Sequence, residues 1–198
     1  MATATATEAA PSRRQAIVAA ARALVEERGL DALTMRRLGE ALGIRAPSLY
    51  KHFPDKAAVE VALIAIALAE FADALGGALK QGGEPLAALG TAYRAYALAH
   101  PHLYRLMTDR PLPRERLPPG SEAAAAAPLL AATGDLALAR AVWAFAHGLV
   151  LLELHGRFPP GADVDAAWRG GVAAFAAALP PRAAPEDSRH PTPKGARP

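Results

Sequence analysis

The sequence predicts an all-α protein: an N-terminal three-helix helix-turn-helix unit, joined by a long helix to a larger helical bundle. Three observations carry this expectation. Ala and Leu, strong helix formers, dominate a chain that is 52% hydrophobic, and the Val/Ile alternation that marks strands is absent. Apolar stripes at helical spacing stop at glycines such as Gly29 and Gly43. Finally, the stretch GIRAPSLYKHFPDK, residues 43–56, is too polar for a core helix yet has a tight turn at either end.

Each element follows from its own signals. Residues 1–11 are Ala/Thr-rich without periodicity and read as a disordered tail. Helix 1 is expected over 12–28, with Ser12 as N-cap, Ile17, Ala21, Leu24 and Val25 buried, and Gly29 as the stop. Helix 2 starts at the cap Thr34, buries Met35, Leu38 and Leu42, and ends at Gly43. Helix 3 is short, 46–52, held by Leu49 and followed by Phe53. Asp55 caps a long helix over 56–80, apolar on nearly every side, as suits a helix between two layers. GGEP at 82–85 marks a boundary, and further helices are expected at 85–100, 101–108, 122–132, 135–156 and 163–179. The Pro- and Arg-rich segment 109–120 reads as a mobile loop, and the Pro-rich residues 180–198 as a second disordered tail. This gives a helix-turn-helix domain at 12–56 and a helical domain at 57–179, with helix 4 as the link.

Composition narrows the function classes. A chain of 198 residues suffices for one large domain, or a small one followed by a larger one. There are 22 basic against 19 acidic residues, so no global polycation signal exists. Arginines far outnumber lysines, so an Arg is not by itself a functional signal. Without cysteine, disulfides, thiol sensing and Cys-ligated zinc are excluded. The first residues lack the apolar core of a signal peptide. The apolar runs near 59–75 and 142–154 are interrupted by charged residues or His, so no membrane span is expected and the reading is cytoplasmic.

Two helices joined at Gly43–Ile44 form the helix-turn-helix pattern. With Ile44, Leu49 and Phe53 turned inward, Arg45, Ala46, Pro47, Ser48, Tyr50, Lys51 and His52 are left for the turn and the outer face. These types suit a groove of duplex DNA: Lys for guanine edges or phosphates, hydroxyls for phosphates, Ala and Pro for thymine methyls. Pro47 sits in the first turn of its helix, where a missing N–H costs little. Helix starts carry partial positive charge, so bases are misplaced there by about 0.3–1 kcal/mol each. Yet Arg13 and Arg14, Arg36 and Arg37, Arg45, and Lys56 stand at four consecutive starts. An Arg-rich helical domain places one or two that way; four around a helix-turn-helix point to a row of phosphates. The basic excess is local: net +4 over 13–56 against −2 over 57–179.

The run TMRRLGEALGIRAPSLYKHFPDKAAV resembles the DNA-binding signature of TetR-family transcriptional regulators, over roughly residues 13–65. The resemblance implies a homodimer whose paired recognition helices bind a palindromic operator, and a small molecule in the C-terminal domain that releases the DNA. On matching positions, Thr34 is expected to bond phosphate and Arg36 phosphate or a base. Ala46, Pro47 and Ser48 are expected in the groove with Arg45 beside them, while Tyr50, Lys51, His52 and Lys56 fix the backbone. The segment AVWAFAHGLVLLELHGRF, 141–158, is similar to the Trp-x-x-x-His-Gly element of one TetR C-terminal subfamily.

In the C-terminal half, Trp143, His147, Val150 and Leu154 share one helix face. Gly148 within that helix costs about 0.5–1 kcal/mol relative to Ala, so close packing is expected there. The packing partner is either a symmetry mate, giving a four-helix dimer interface, or another helix of the same subunit. Tyr93, Tyr96, His100, Tyr104 and Met107, with Trp143 and His147, are the candidates for a largely apolar ligand pocket; an aromatic stripe at helical spacing is equally the mark of plain core. No His pair has metal-site spacing, and no nucleophile elbow or glycine-rich phosphate loop is present, so neither a metal, a cofactor nor an enzymatic activity is expected. The competing readings are a helical ligand-binding or scaffolding protein whose helix-turn-helix no longer reads DNA, and a catalytic bundle with a DNA-binding appendage.

Overall fold

Helix 1 begins where its cap says it should. Ser12 Oγ accepts the Gln15 N–H at 3.2 Å and Gln15 Oε1 accepts the Ser12 N–H at 2.7 Å, a reciprocal capping box. The structure, a computed structural model, describes residues 12–179; the tails expected at 1–11 and 180–198 lie outside the described residues. The described residues form nine α-helices and no strand: α1 (Arg13–Arg28), α2 (Met35–Leu42), α3 (Ala46–Tyr50), α4 (Lys56–Lys80), α5 (Pro85–Ala99), α6 (Pro101–Thr108), α7 (Ser121–Thr133), α8 (Leu136–Leu154) and α9 (Val164–Ala177). The starts of α2 and α4 are capped by the expected Thr34 and Asp55, and those of α8 and α9 by Asp135 and Asp163.

The turn between α2 and α3 is built by one glycine. Gly43 sits at φ +63°, which costs a residue with a Cβ, and so closes a Schellman motif: the Gly43 N–H reaches Glu40 O and the Ile44 N–H reaches Gly39 O at 2.9 Å. α3 ends at Tyr50 rather than His52. The His52 and Phe53 N–H groups both converge on Leu49 O at 2.9 Å, which tightens the last turn and swings Phe53 into full burial. Leu24, Met35 and Leu42, expected in the core, are only half-buried, and Val18 takes a core place beside Ile17.

α4 is the spine. Val59, Leu63, Ala67, Phe71 and Leu75 are buried, and α1, α5, α6 and α7 all pack on it, so one core runs without a break from helix-turn-helix to bundle. Residues 109–120, expected to be a mobile loop, are instead tied down: Leu117 is buried, Arg114 pairs with Glu122 at 2.7 Å, and Arg116 approaches Asp55 at 3.9 Å. α8 is long and apolar enough to cross a membrane by length and composition, against the expectation from its interrupted run. In this fold Ala139, Val142, Ala146 and Val150 bury one side of it, and its Glu153 is paired with Arg94.

Candidate nucleic-acid interface and ligand cavity

The helix-turn-helix presents its polar residues outward. Leu49 is fully buried, which leaves Pro47, Ser48 and Tyr50 of α3 exposed, Tyr50 by 51%. Ala46 is the first residue of α3 and Arg45 its N-cap. Arg45, Lys51, Thr34 and Arg36 are exposed, while His52 and Lys56 are half-exposed. None of α1 to α4 carries an acid in its first turn, and only α4 has a carboxylate as its cap, Asp55, so the starts of α1, α2 and α3 remain electropositive. Arg36 and Lys56 meet Glu40 and Glu60 one turn along, at 3.8 and 3.3 Å; such exposed pairs are worth only about 0.3–0.5 kcal/mol and yield readily to a phosphate.

Two bases counted at the helix starts have work inside the fold. Arg14 Nη1 donates to the His52 carbonyl at 2.8 Å, and its guanidinium lies 4.0 Å from the centre of the Phe53 ring, bracing α1 against the end of α3. Arg37 Nη1 donates weakly to the Ala32 carbonyl at 3.4 Å. Their placement is explained without an anion.

Between α4, α6, α7 and α8 lies a cavity of about 450 Å³. Of the seven sequence candidates for a pocket, Tyr93, Tyr104, Met107 and Trp143 line it. Tyr96, His100 and His147 do not, and each has a different employment. The Tyr96 hydroxyl donates to the Ala67 carbonyl of α4 at 3.2 Å. His100 turns toward Glu26 of α1, with Nδ1 3.6 Å from a carboxylate oxygen. His147 stands behind the wall, Nδ1 2.7 Å from the Tyr104 hydroxyl, which is 2.8 Å from that of Tyr93. Burial pushes the Tyr93 phenol up to about 12, raises Tyr104 further, and lowers His147, so all three stay neutral at neutral pH and act only as hydrogen-bonding groups. The His147 tautomer sets the direction of the chain: Nε2–H makes Tyr104 the donor to Nδ1, and Nδ1–H makes it the acceptor.

Much of the remaining lining was missed: Leu68 and Phe71 of α4, Ala125 and Leu129 of α7, and Arg110 and Arg114 of the connecting segment. The aliphatic members carry no chemical signature. The Pro/Arg composition of 109–120 was the available signal, since a loop so punctuated between apolar helices is a common wall of a binding site.

Residues 17–63 match the family model for bacterial regulatory proteins of the tetR family, and residues 86–175 the tetracycline-repressor-like C-terminal domain. An HTH-type transcriptional regulator of Mycobacterium tuberculosis is 31% identical over 179 residues, which cover 84% of this chain and 81% of that one. The chain belongs to the TetR family. It is therefore a DNA-binding transcriptional regulator, in a family of regulators rather than enzymes. A tetracycline repressor of class A from Escherichia coli is 46% identical over 54 residues, 27% of this chain and 25% of that one. The fold agrees: a structure from Streptomyces coelicolor A3(2), described as a TetR-family regulator, superposes with a TM-score of 0.63 at 25% identity, covering 83% of this chain and 97% of that one. A Rhodococcus structure, 24% identical, superposes with a TM-score of 0.73 over 87% of this chain and 98% of that one.

The TetR head and bundle meet through specific side chains. Arg22 of α1 pairs with Glu70 of α4 at 2.8 Å, and His102 of α6 packs against Gly29 at the end of α1. Gly29 holds φ +78°, so a side chain there is disfavoured by its backbone.

Proposed function

We propose that this regulator is a homodimeric repressor that binds a palindromic operator and is released by a small, mainly apolar molecule seated in the α4–α8 cavity. The observation that carries the reading is the shared helix: α4 contributes Leu68 and Phe71 to the cavity and is capped by Asp55 directly after the helix-turn-helix. A volume of about 450 Å³ falls in the range of small-molecule sites. Pro47, Ser48, Tyr50 and Ala46 enter the major groove or flank it, with Thr34, Arg36, Arg45, Lys51, His52 and Lys56 on phosphates or base edges. Operator binding places the protein in the cytoplasm, with the chromosome.

Dimerisation through α8 and α9 is supported by their outward faces. Ala141, Ala144 and Leu152 of α8 are exposed, as are Ala166, Gly170, Ala173 and Ala177 of α9. A Cβ added at Gly148 would meet nothing within 4 Å, so among the described residues no helix of the same subunit exploits that glycine. A symmetry mate is the reading that remains. Trp143, stacked on His147 with ring centroids 6.0 Å apart, carries the Trp-x-x-x-His-Gly subfamily assignment with Gly148.

Fluorescence anisotropy tests the reading, with a labelled duplex from the protein's own upstream region, a scrambled duplex, and selection of bound genomic fragments. Sequence-selective binding that is salt-dependent and weakened by Lys51→Ala is expected. Equal weak binding to every fragment would favour the scaffold reading, a helix-turn-helix that no longer reads DNA.

A further inference from the structure

The cavity has two chemically distinct zones. Its floor is Leu68, Phe71, Met107 and Leu129, each 6% exposed. Tyr93 and Tyr104 also face it, but their hydroxyls are engaged with one another and with His147. A guest's inner end therefore meets hydrocarbon and bonded phenols. The rim is different: Arg110, Arg114, Arg140 and Glu122 line it. Glu122 is held by two bonds from Arg114, both 2.7 Å, and this pairing keeps its carboxyl below the ordinary carboxylate value. Among the described residues, the only carboxylate in the lining is thus already neutralised. Among the described residues, neither Arg110 nor Arg140 has an ion-pair partner.

We infer that the ligand is an amphipathic monocarboxylate, its apolar body on the Phe71–Met107–Leu129 floor and its carboxylate between Arg110 and Arg140 at the mouth. The inference rests on the reading of this cavity as the effector site. A cationic guest would face two unpaired guanidiniums, and Glu122 of the lining is already held by Arg114. A neutral guest can accept a hydrogen bond from a guanidinium but forgoes the stronger charge-assisted pair. A carboxylate is the group whose geometry a guanidinium fork matches. An anion carried deeper would lose its solvation against a floor of hydrocarbon and of phenols already bonded to one another, which fixes the orientation, head outward.

The test uses the whole protein and three ten-carbon probes that differ only in the head group: decanoate, decanol and decylammonium. Trp143 on the rim reports binding by its fluorescence, and Nile red, displaced from the floor, reports occupancy independently of head-group charge. Decanoate is expected to bind roughly tenfold more tightly than decanol, with decylammonium weakest. The double variant Arg110→Gln/Arg140→Gln should lose that tenfold advantage while binding decanol as before. Equal affinities for decanoate and decanol, or a double variant that keeps the preference, overturns the assignment. Nile red bound but not displaced by decanoate overturns it too, and leaves the cavity reading standing. A protein that takes up neither Nile red nor any probe refutes the cavity reading itself.

Discussion

Arg14 separates two accounts of the basic helix starts. As a phosphate ligand it would be free to swing outward; as a brace it is committed to His52 and Phe53. Replacing it with Ala removes a charge-assisted hydrogen bond, worth about 1.5–3 kcal/mol when sheltered, and a cation–π contact worth about 0.5–1 kcal/mol at an exposed site. Arg14 is exposed, so water returns most of the first contribution, and a net loss of about 1–2 kcal/mol is expected. For a chain of this size that lowers Tm by about 2–4 °C per kcal/mol. DNA affinity should fall as well, because α3 loses its anchor, but the slope of log affinity against log salt should not change. A phosphate ligand predicts the reverse. Each lost phosphate contact flattens the slope by about 0.9, hence about 1.8 for a dimer, with Tm unchanged. Lys51→Ala is the matched control, since Lys51 is exposed at the end of α3 and should show that second pattern. Thermal melts together with anisotropy across a salt series read both quantities. An Arg14→Ala protein with an unchanged Tm and a slope shallower by about 1.8 would refute the brace.

Three further outcomes follow from the bundle. A Cβ at Gly171 would run into the Phe145 ring, so Gly171→Ala should cost about 1–3 kcal/mol by overpacking, read as a lower Tm, and should weaken the dimer, read by size-exclusion chromatography. His147 is lowered from the ordinary imidazole value by burial, so the unfolded chain takes up its proton first. Stability that is full above about pH 6.5 is therefore lost as the pH falls below that value, and His147→Gln should flatten the Tm-against-pH curve in this window. Glu153 joins α8 to α5 and α9, accepting from Arg94 at 2.7 Å and from Trp168 Nε1 at 2.8 Å. Glu153→Gln keeps the shape but removes the charge, and a loss of about 1–3 kcal/mol in denaturant unfolding is expected.

What the sequence revealed is local chemistry, and what it concealed is tertiary. Ser12, Thr34 and Asp55 announce helix starts because a short polar side chain satisfies N–H groups only a few residues away, and Gly29 and Gly43 announce the ends by backbone freedom. The recognition segment was legible for the same reason. The cavity was not, because Leu68, Ala125 and Leu129 differ from core residues only in what lies across from them. Tyr96 and His100 were misplaced by the assumption that one helix face has one neighbour. α5 packs against α4 at Tyr96, and where it ends at His100 the neighbour is α1. Arg14 misled in a further way: its place at a helix start is visible in one dimension, while the carbonyl it serves is 38 residues away.

The same three-dimensional neighbours bear on how a ligand is felt by the head. α4 links the two domains, and at 25 residues it spans roughly 37 Å, with cavity residues near its middle and the helix-turn-helix at its start. α6 offers a second and shorter connection. Tyr104 and Met107 form cavity wall, while at the other end of the same helix His102 packs on Gly29 and the preceding His100 faces Glu26. One Glu26 carboxylate oxygen is buried without a hydrogen bond, so that contact is incompletely satisfied in this conformation. A ligand shifts an equilibrium only by its differential affinity for two states, and rigid elements touching both cavity and head convert that difference into head position. α4 starts at its cap Asp55, directly after the helix-turn-helix. α6 packs on α1, and Arg14 of α1 holds the residues that end α3. Under the proposed release by a cavity ligand, both routes lead to the same short helix, the one proposed to meet DNA.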